Sequence, residues 1–132
     1  MTPKKLPLKD ISKTEGRERR RVAEKYLEVA ELISSEEGVA INVAVGVAVL
    51  AGIAASDAIC AAALGQRYSG PDHDAAADLL ERVDGELAKQ LRDLVALKGA
   101  SHYGATLLSA AQRTVALRRA GALVAEARLR QP

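Results

Sequence analysis

The chain has 132 residues, one cysteine and a formal charge of +2; it is 48% hydrophobic but only 2% aromatic, with three Tyr and neither Phe nor Trp. That composition excludes most all-β folds, whose strands lean on β-branched and aromatic residues, and favours a single domain of helices packed through small residues. One cysteine excludes an internal disulfide, and no Cys/His set with zinc spacing occurs, which predicts a reducing compartment, no metal and no cofactor.

Taken in chain order, residues 1–11 hold Pro3, Pro7 and three lysines without a helical period, which predicts a flexible basic tail. The opening MTPKKLPLKD lacks the apolar run of a signal peptide, so a cytoplasmic location is expected. Residues 12–132 are expected to form the one domain. A helix should start between Ser12 and Glu18. Val22, Tyr26, Val29 and Ile33 recur at helical spacing, and Ala23, Leu27 and Ala30 widen the stripe. Gly38 ends this helix after Ser34 and Ser35.

Residues 39–64 are the most apolar segment. A membrane span is one reading of such a run, but Asn42, Ser56 and Asp57 interrupt it and no positive-inside loop flanks it. A central helix buried on nearly all sides is the better expectation, roughly 39 Å long at 1.5 Å per residue. Gly65 stops it, and Gln66-Arg67-Tyr68-Ser69-Gly70-Pro71 is expected to be a loop by its Gly-Pro punctuation. Asp72 or Asp74 starts a short helix whose apolar face is Leu79, Leu80 and Val83. After Asp84-Gly85 a fourth helix carries the seam Leu87, Leu91, Leu94 and Val95. A last helix is expected from about His102 to Arg130. The fold class is therefore all-α, a compact up-down bundle of about five helices around a long buried spine, with no strand-like alternation.

Charge is uneven along the chain. Residues 1–21 carry +5, residues 113–132 carry +4 and the middle carries −7. Such asymmetry can mark nucleic-acid contact, with Arg19, Arg20, Arg21, Arg118 and Arg119 as candidates, or simply a solvated helix surface. Within the last helix the arginines scatter around the axis, which disfavours one basic face and suits coverage on more than one side.

Two groups of polar residues fall where burial is expected. On the central helix Asn42, Gly46, Ser56, Asp57 and Cys60 share an arc of about 100°. Asn42, Gly46, Ser56 and Cys60 are candidates for an interface, with Asp57 as the charged member of the seam. The second group is Lys98, His102 and Tyr103. A cation beside an imidazole, with a phenol near, suits polarising a phosphodiester and moving a proton. His73 sits among acids in an expected loop and is the weaker histidine. Asp72-His73-Asp74 is a poor metal site, since adjacent residues rarely converge. GxGxxG, P-loop, CxxC, HExxH and GxSxG motifs are absent.

The segment from Gly52 to Gly65, the loop into Asp72-His73, and Lys98 through Tyr103 together resemble the small bacterial, actinobacterial-type branch of HEPN-domain proteins. The resemblance covers roughly residues 20–128. It implies a helical bundle, often a homodimer, that engages RNA or a nucleotide. It also implies a possible role as a metal-independent endoribonuclease in a toxin–antitoxin or defence system, with a protein antitoxin as partner. By position, His102 matches the motif histidine and Lys98 stands where the family has arginine. Two departures are plain: lysine cannot grip phosphate with a planar fork, and the gap of three residues is shorter than the motif's. Asp57 resembles the polar residue that the family places on a neighbouring helix. The alternative is a non-enzymatic homodimeric module whose basic termini touch nucleic acid weakly.

Overall fold

The computed structural model describes residues 5–99 and 107–132. Among these, five helices run Lys13–Leu32 (α1), Val39–Leu64 (α2), His73–Glu81 (α3), Gly85–Val95 (α4) and Ala110–Arg130 (α5). They form an all-α bundle with α2 as its spine. α1 and α5 pack along α2, the α3–α4 hairpin closes the remaining side, and α4 also meets α5.

Local chemistry sets the helix ends. Ser12 Oγ accepts from Glu15 N at 3.1 Å while Glu15 Oε1 accepts from Ser12 N at 3.2 Å, a reciprocal cap that starts α1. Ser109 and Gln112 repeat it at α5. Asp72 and Asp84 cap α3 and α4 through single carboxylate oxygens. Gly38 and Gly65 bracket α2 at φ +69° and +66°, a backbone conformation that residues with a Cβ rarely adopt.

The core is aliphatic. Ile59, Leu79, Leu80, Leu91, Leu94 and Leu123 are fully buried, each contributing about 1.5–3 kcal/mol by its removal from water. Alanines and Gly52 let helices approach closely: a methyl group on Gly52 would collide with Leu94 Cδ2 and lie 3.3 Å from Leu123 Cδ1. α2 is long and apolar enough to cross a membrane, yet 61% of its most apolar window is buried inside the bundle, as befits a core helix.

Three expectations need correction. Residues 5–11 are not a loose tail, and Gln66–Tyr68 is a strand in place of the expected loop. Leu8–Asp10 (β1) pairs antiparallel with Gln66–Tyr68 (β2), Leu8 opposite Tyr68 and Asp10 opposite Gln66. Leu6 and Ile11 are buried, and Ile11 N donates to Gly65 O at 3.0 Å. Apolar Leu6, Leu8 and Ile11 anchor this stretch, and a three-residue strand is too short to show a period. The last helix begins at Ala110, after the Ser109 cap, and not near His102.

Candidate functional site

Two clefts carry the chemistry of the described residues. The first, about 460 Å³, opens between the start of α1, the end of α2 and β2, and is lined by Ile11, Thr14, Glu15, Glu18, Arg19, Asp57 and Arg67. Asp57 forms its floor. Its position on the spine makes it 7% exposed, and Arg19 Nε donates to its Oδ2 at 3.1 Å. Burial pushes the Asp57 carboxyl above the ordinary range, against the opposing pull of the Arg19 and Arg67 guanidinia. Arg67 reaches in from β2, where Nη1 donates to Tyr68 O at 3.1 Å.

The second cleft, about 250 Å³, is lined by Pro71, Asp72, His73, Asp74, Val95, Lys98 and Gly99. Its loop wall is held in place by Tyr68. The buried Tyr68 hydroxyl accepts from Asp72 N at 3.2 Å, and Gly70 packs so closely on that ring that a methyl group there would collide with it. Asp72 Oδ1 is engaged in capping α3, which fixes His73 as the first helical residue, facing the end of the α4 segment. β2 thus separates the clefts: Arg67 serves one, and the next residue, Tyr68, supports the other, as alternation along a strand requires.

The sequence-derived candidates fare as follows. Lys98 is half-buried and shares its cleft with His73, the histidine that sequence set aside. His102 and Tyr103 lie outside the described residues. Asp57 does not join Lys98 in one cleft of this chain; its partners are Arg19 and Arg67. The signal that could have promoted His73 was its place directly after an Asp cap, where the first helical turn fixes a side chain.

The arginines proposed for nucleic acid are mostly engaged with acids. Arg19 pairs with Asp57, Arg20 with Glu24, Arg21 with Glu18 at 2.6 Å, and Arg119 with Asp93 at 3.5 Å. Arg118 is exposed and makes no ion pair with a described residue. These arginines are therefore mostly matched by carboxylates, Arg20 and Arg21 within α1 and Arg19 and Arg119 across to α2 and α4, and do not form one bare cationic face.

The interface candidates are also resolved. Gly46, Ser56 and Cys60 are buried within the chain itself and are not free for a second subunit. Cys60 packs as an apolar group, its thiol pushed up to about 12 chiefly by burial. Asn42 is half-buried and ties the chain entering α5: its Oδ1 accepts from Leu108 N at 2.9 Å. A residue that sequence reasoning missed is Arg113, buried on α5, whose guanidinium donates to the Glu36 carbonyl and staples α5 to the α1–α2 turn.

No protein-family model matches this chain, and a search among curated proteins finds no match in sequence.

Proposed function

We propose that the chain is a HEPN-like helical bundle that engages RNA or a nucleotide through the phosphate group, at the cleft shared by Lys98 and His73. The observation that carries this is their common lining of one small cleft, braced by Tyr68. Lys98 supplies a point charge for a phosphodiester oxygen. The His73 ring can donate to the same group. His102 follows Gly99 by three residues and is the acid–base group of the cleaving version, acting without a metal. There it takes the proton of the 2′-hydroxyl as that oxygen attacks phosphorus, and the leaving 5′-oxygen gains a proton. A homodimer, an antitoxin partner and a toxin–antitoxin or defence setting belong to this same reading.

Cleavage of a mixed RNA pool by wild type, Lys98→Ala and His102→Ala tests it. Loss of products in both folded variants supports the cleaving version. Equal activity in His102→Ala, or none in wild type, removes it and leaves binding alone.

A second reading, a non-enzymatic module that pairs with another copy of itself, is favoured by a different observation. Val39, Val43, Leu50 and Ile53 recur within about 80° on one side of α2. Leu32, Val39 and Val43 are 73%, 72% and 54% exposed. Two-fold pairing of the same stripe would cover it in both copies. Sedimentation of wild type against Val39→Lys/Val43→Lys tests this: a dimer that the variant abolishes supports the module, and a monomeric wild type refutes it.

A further inference from the structure

The Arg19–Asp57–Arg67 cleft has unused bonding capacity of both signs. Asp57 is more than nine-tenths buried, yet among the described residues its one hydrogen bond comes from Arg19 Nε. A carboxylate can accept about four. Arg19 presents only Nε to it, so both terminal nitrogens of that guanidinium remain for another acceptor. Among the described residues Arg67 makes one hydrogen bond, from Nη1 to the Tyr68 carbonyl on its own strand. The cleft therefore offers two cationic forks and a carboxylate oxygen around one space of about 460 Å³, within the size range of small-ligand sites.

Charge decides which ligand suits it. The lining holds two arginines against Glu15, Glu18 and Asp57, a formal −1; Arg21, outside the lining, pairs with Glu18 Oε1 and Glu15 Oε1 accepts from Ser12 N, which leaves the second oxygen of each rim acid for a cation. A dianionic phosphate on the guanidinia would meet those carboxylates at close range. A zwitterion with a further positive charge meets complementary groups at every point. We propose that this cleft binds a basic α-amino acid, its carboxylate on Arg19 and Arg67, its α-ammonium on Asp57, and its side-chain cation towards the rim acids Glu15 and Glu18. The carboxylate gains charge-assisted bonds of the stronger class. The ammonium supplies donors that the buried Asp57 lacks. Neither cleft residue is shared with Lys98 or His73, so the site stands whether or not RNA binds.

Titration calorimetry of the full chain with L-lysine and L-arginine tests the proposal, with cadaverine and 6-aminohexanoate as controls lacking the α-carboxylate and the α-ammonium respectively. The expected result is a Kd of about 1 mM or tighter for either amino acid. Each control should bind at least about tenfold more weakly, and Arg67→Met and Asp57→Asn should each cost about tenfold. Far-ultraviolet circular dichroism checks that both variants remain folded, and Arg67→Met on the strand surface is the safer of the two. Absence of heat with both amino acids, equal binding of cadaverine, or unchanged affinity in folded Arg67→Met would overturn it.

Discussion

Removing Arg19 exposes how the protein holds a carboxylate inside its spine. In Arg19→Met the apolar stem is kept and the charge is lost. The Nε–Oδ2 separation is 3.1 Å, which places the charge centres about 4 Å apart, and an effective dielectric constant of about 20 then gives about 4 kcal/mol of attraction. The Arg19 side chain is 34% exposed, so solvent screening reduces this to about 2 kcal/mol. Arg67 remains nearby and limits the loss further. Urea unfolding should therefore show Arg19→Met less stable by about 2 kcal/mol at pH 7. The pH dependence has a definite sign. Burial raises the folded-state pKa of Asp57, so the folded protein takes up that proton before the unfolded chain does as pH falls. The ionised form is the costly one, and the Arg19→Met deficit should shrink as pH falls through the carboxylate range. Adding Asp57→Asn to Arg19→Met should return stability to within about 1 kcal/mol of wild type, because no unpaired buried charge is left. A deficit below about 0.5 kcal/mol at pH 7, or one that does not change with pH, would refute this account of Asp57.

Other consequences follow from the same packing and electrostatics. Gly52→Ala should destabilise by about 1–2 kcal/mol in thermal unfolding, because overpacking against Leu94 and Leu123 outweighs the helix propensity gained. Gly121→Ala, where nothing lies within 4 Å of the added methyl, should instead stabilise by about 1 kcal/mol. Cys60 should resist a thiol reagent in the native protein at pH 8 and react promptly in urea, since it is buried with its pKa pushed up to about 12. Glu24 shows the opposite linkage to Asp57. Burial raises its pKa, but the bonds from Arg20 and Arg128 prevail and hold it low, so its stabilisation is present above the ordinary carboxylate pKa and lost as pH falls through the depressed one. Glu24→Gln should cost about 1 kcal/mol at pH 7 and little in strong acid, measured by urea unfolding at each pH.

Periodicity and punctuation made most of the fold legible. The spine runs from Val39 to Leu64 as the apolar run indicates, because Gly38 and Gly65 can take the positive φ found at each end. Leu87, Leu91, Leu94 and Val95 form the buried seam of α4 as spaced. The β1–β2 pair was not legible, since three residues on each strand carry no readable alternation and the pairing spans the length of two helices. On α5 the buried set is Arg113, Ala116, Ala120, Leu123, Val124 and Ala127. Alanines have too weak a hydropathy contrast for a wheel to reveal that face. Asp57 was legible as a charge in an apolar helix, but its partners were not. Arg19 and Arg67 come to it from other elements, α1 and β2, which only the tertiary arrangement shows, whereas Arg20–Glu24 and Arg21–Glu18 are helical neighbours at i,i+4 and i,i+3. His73 joined Lys98 for the same reason, through a loop held by Tyr68.

Nuclear magnetic resonance of the full chain during titration with a short single-stranded RNA tests the central claim most directly. If the Lys98–His73 cleft engages the phosphodiester, the His73 ring and Lys98 side-chain signals shift first and saturably, the shifts weaken with added salt, and Lys98→Ala loses binding by about tenfold. Signals of His73 and Lys98 that stay fixed while RNA is added, or undiminished RNA binding by Lys98→Ala, would contradict the proposed function.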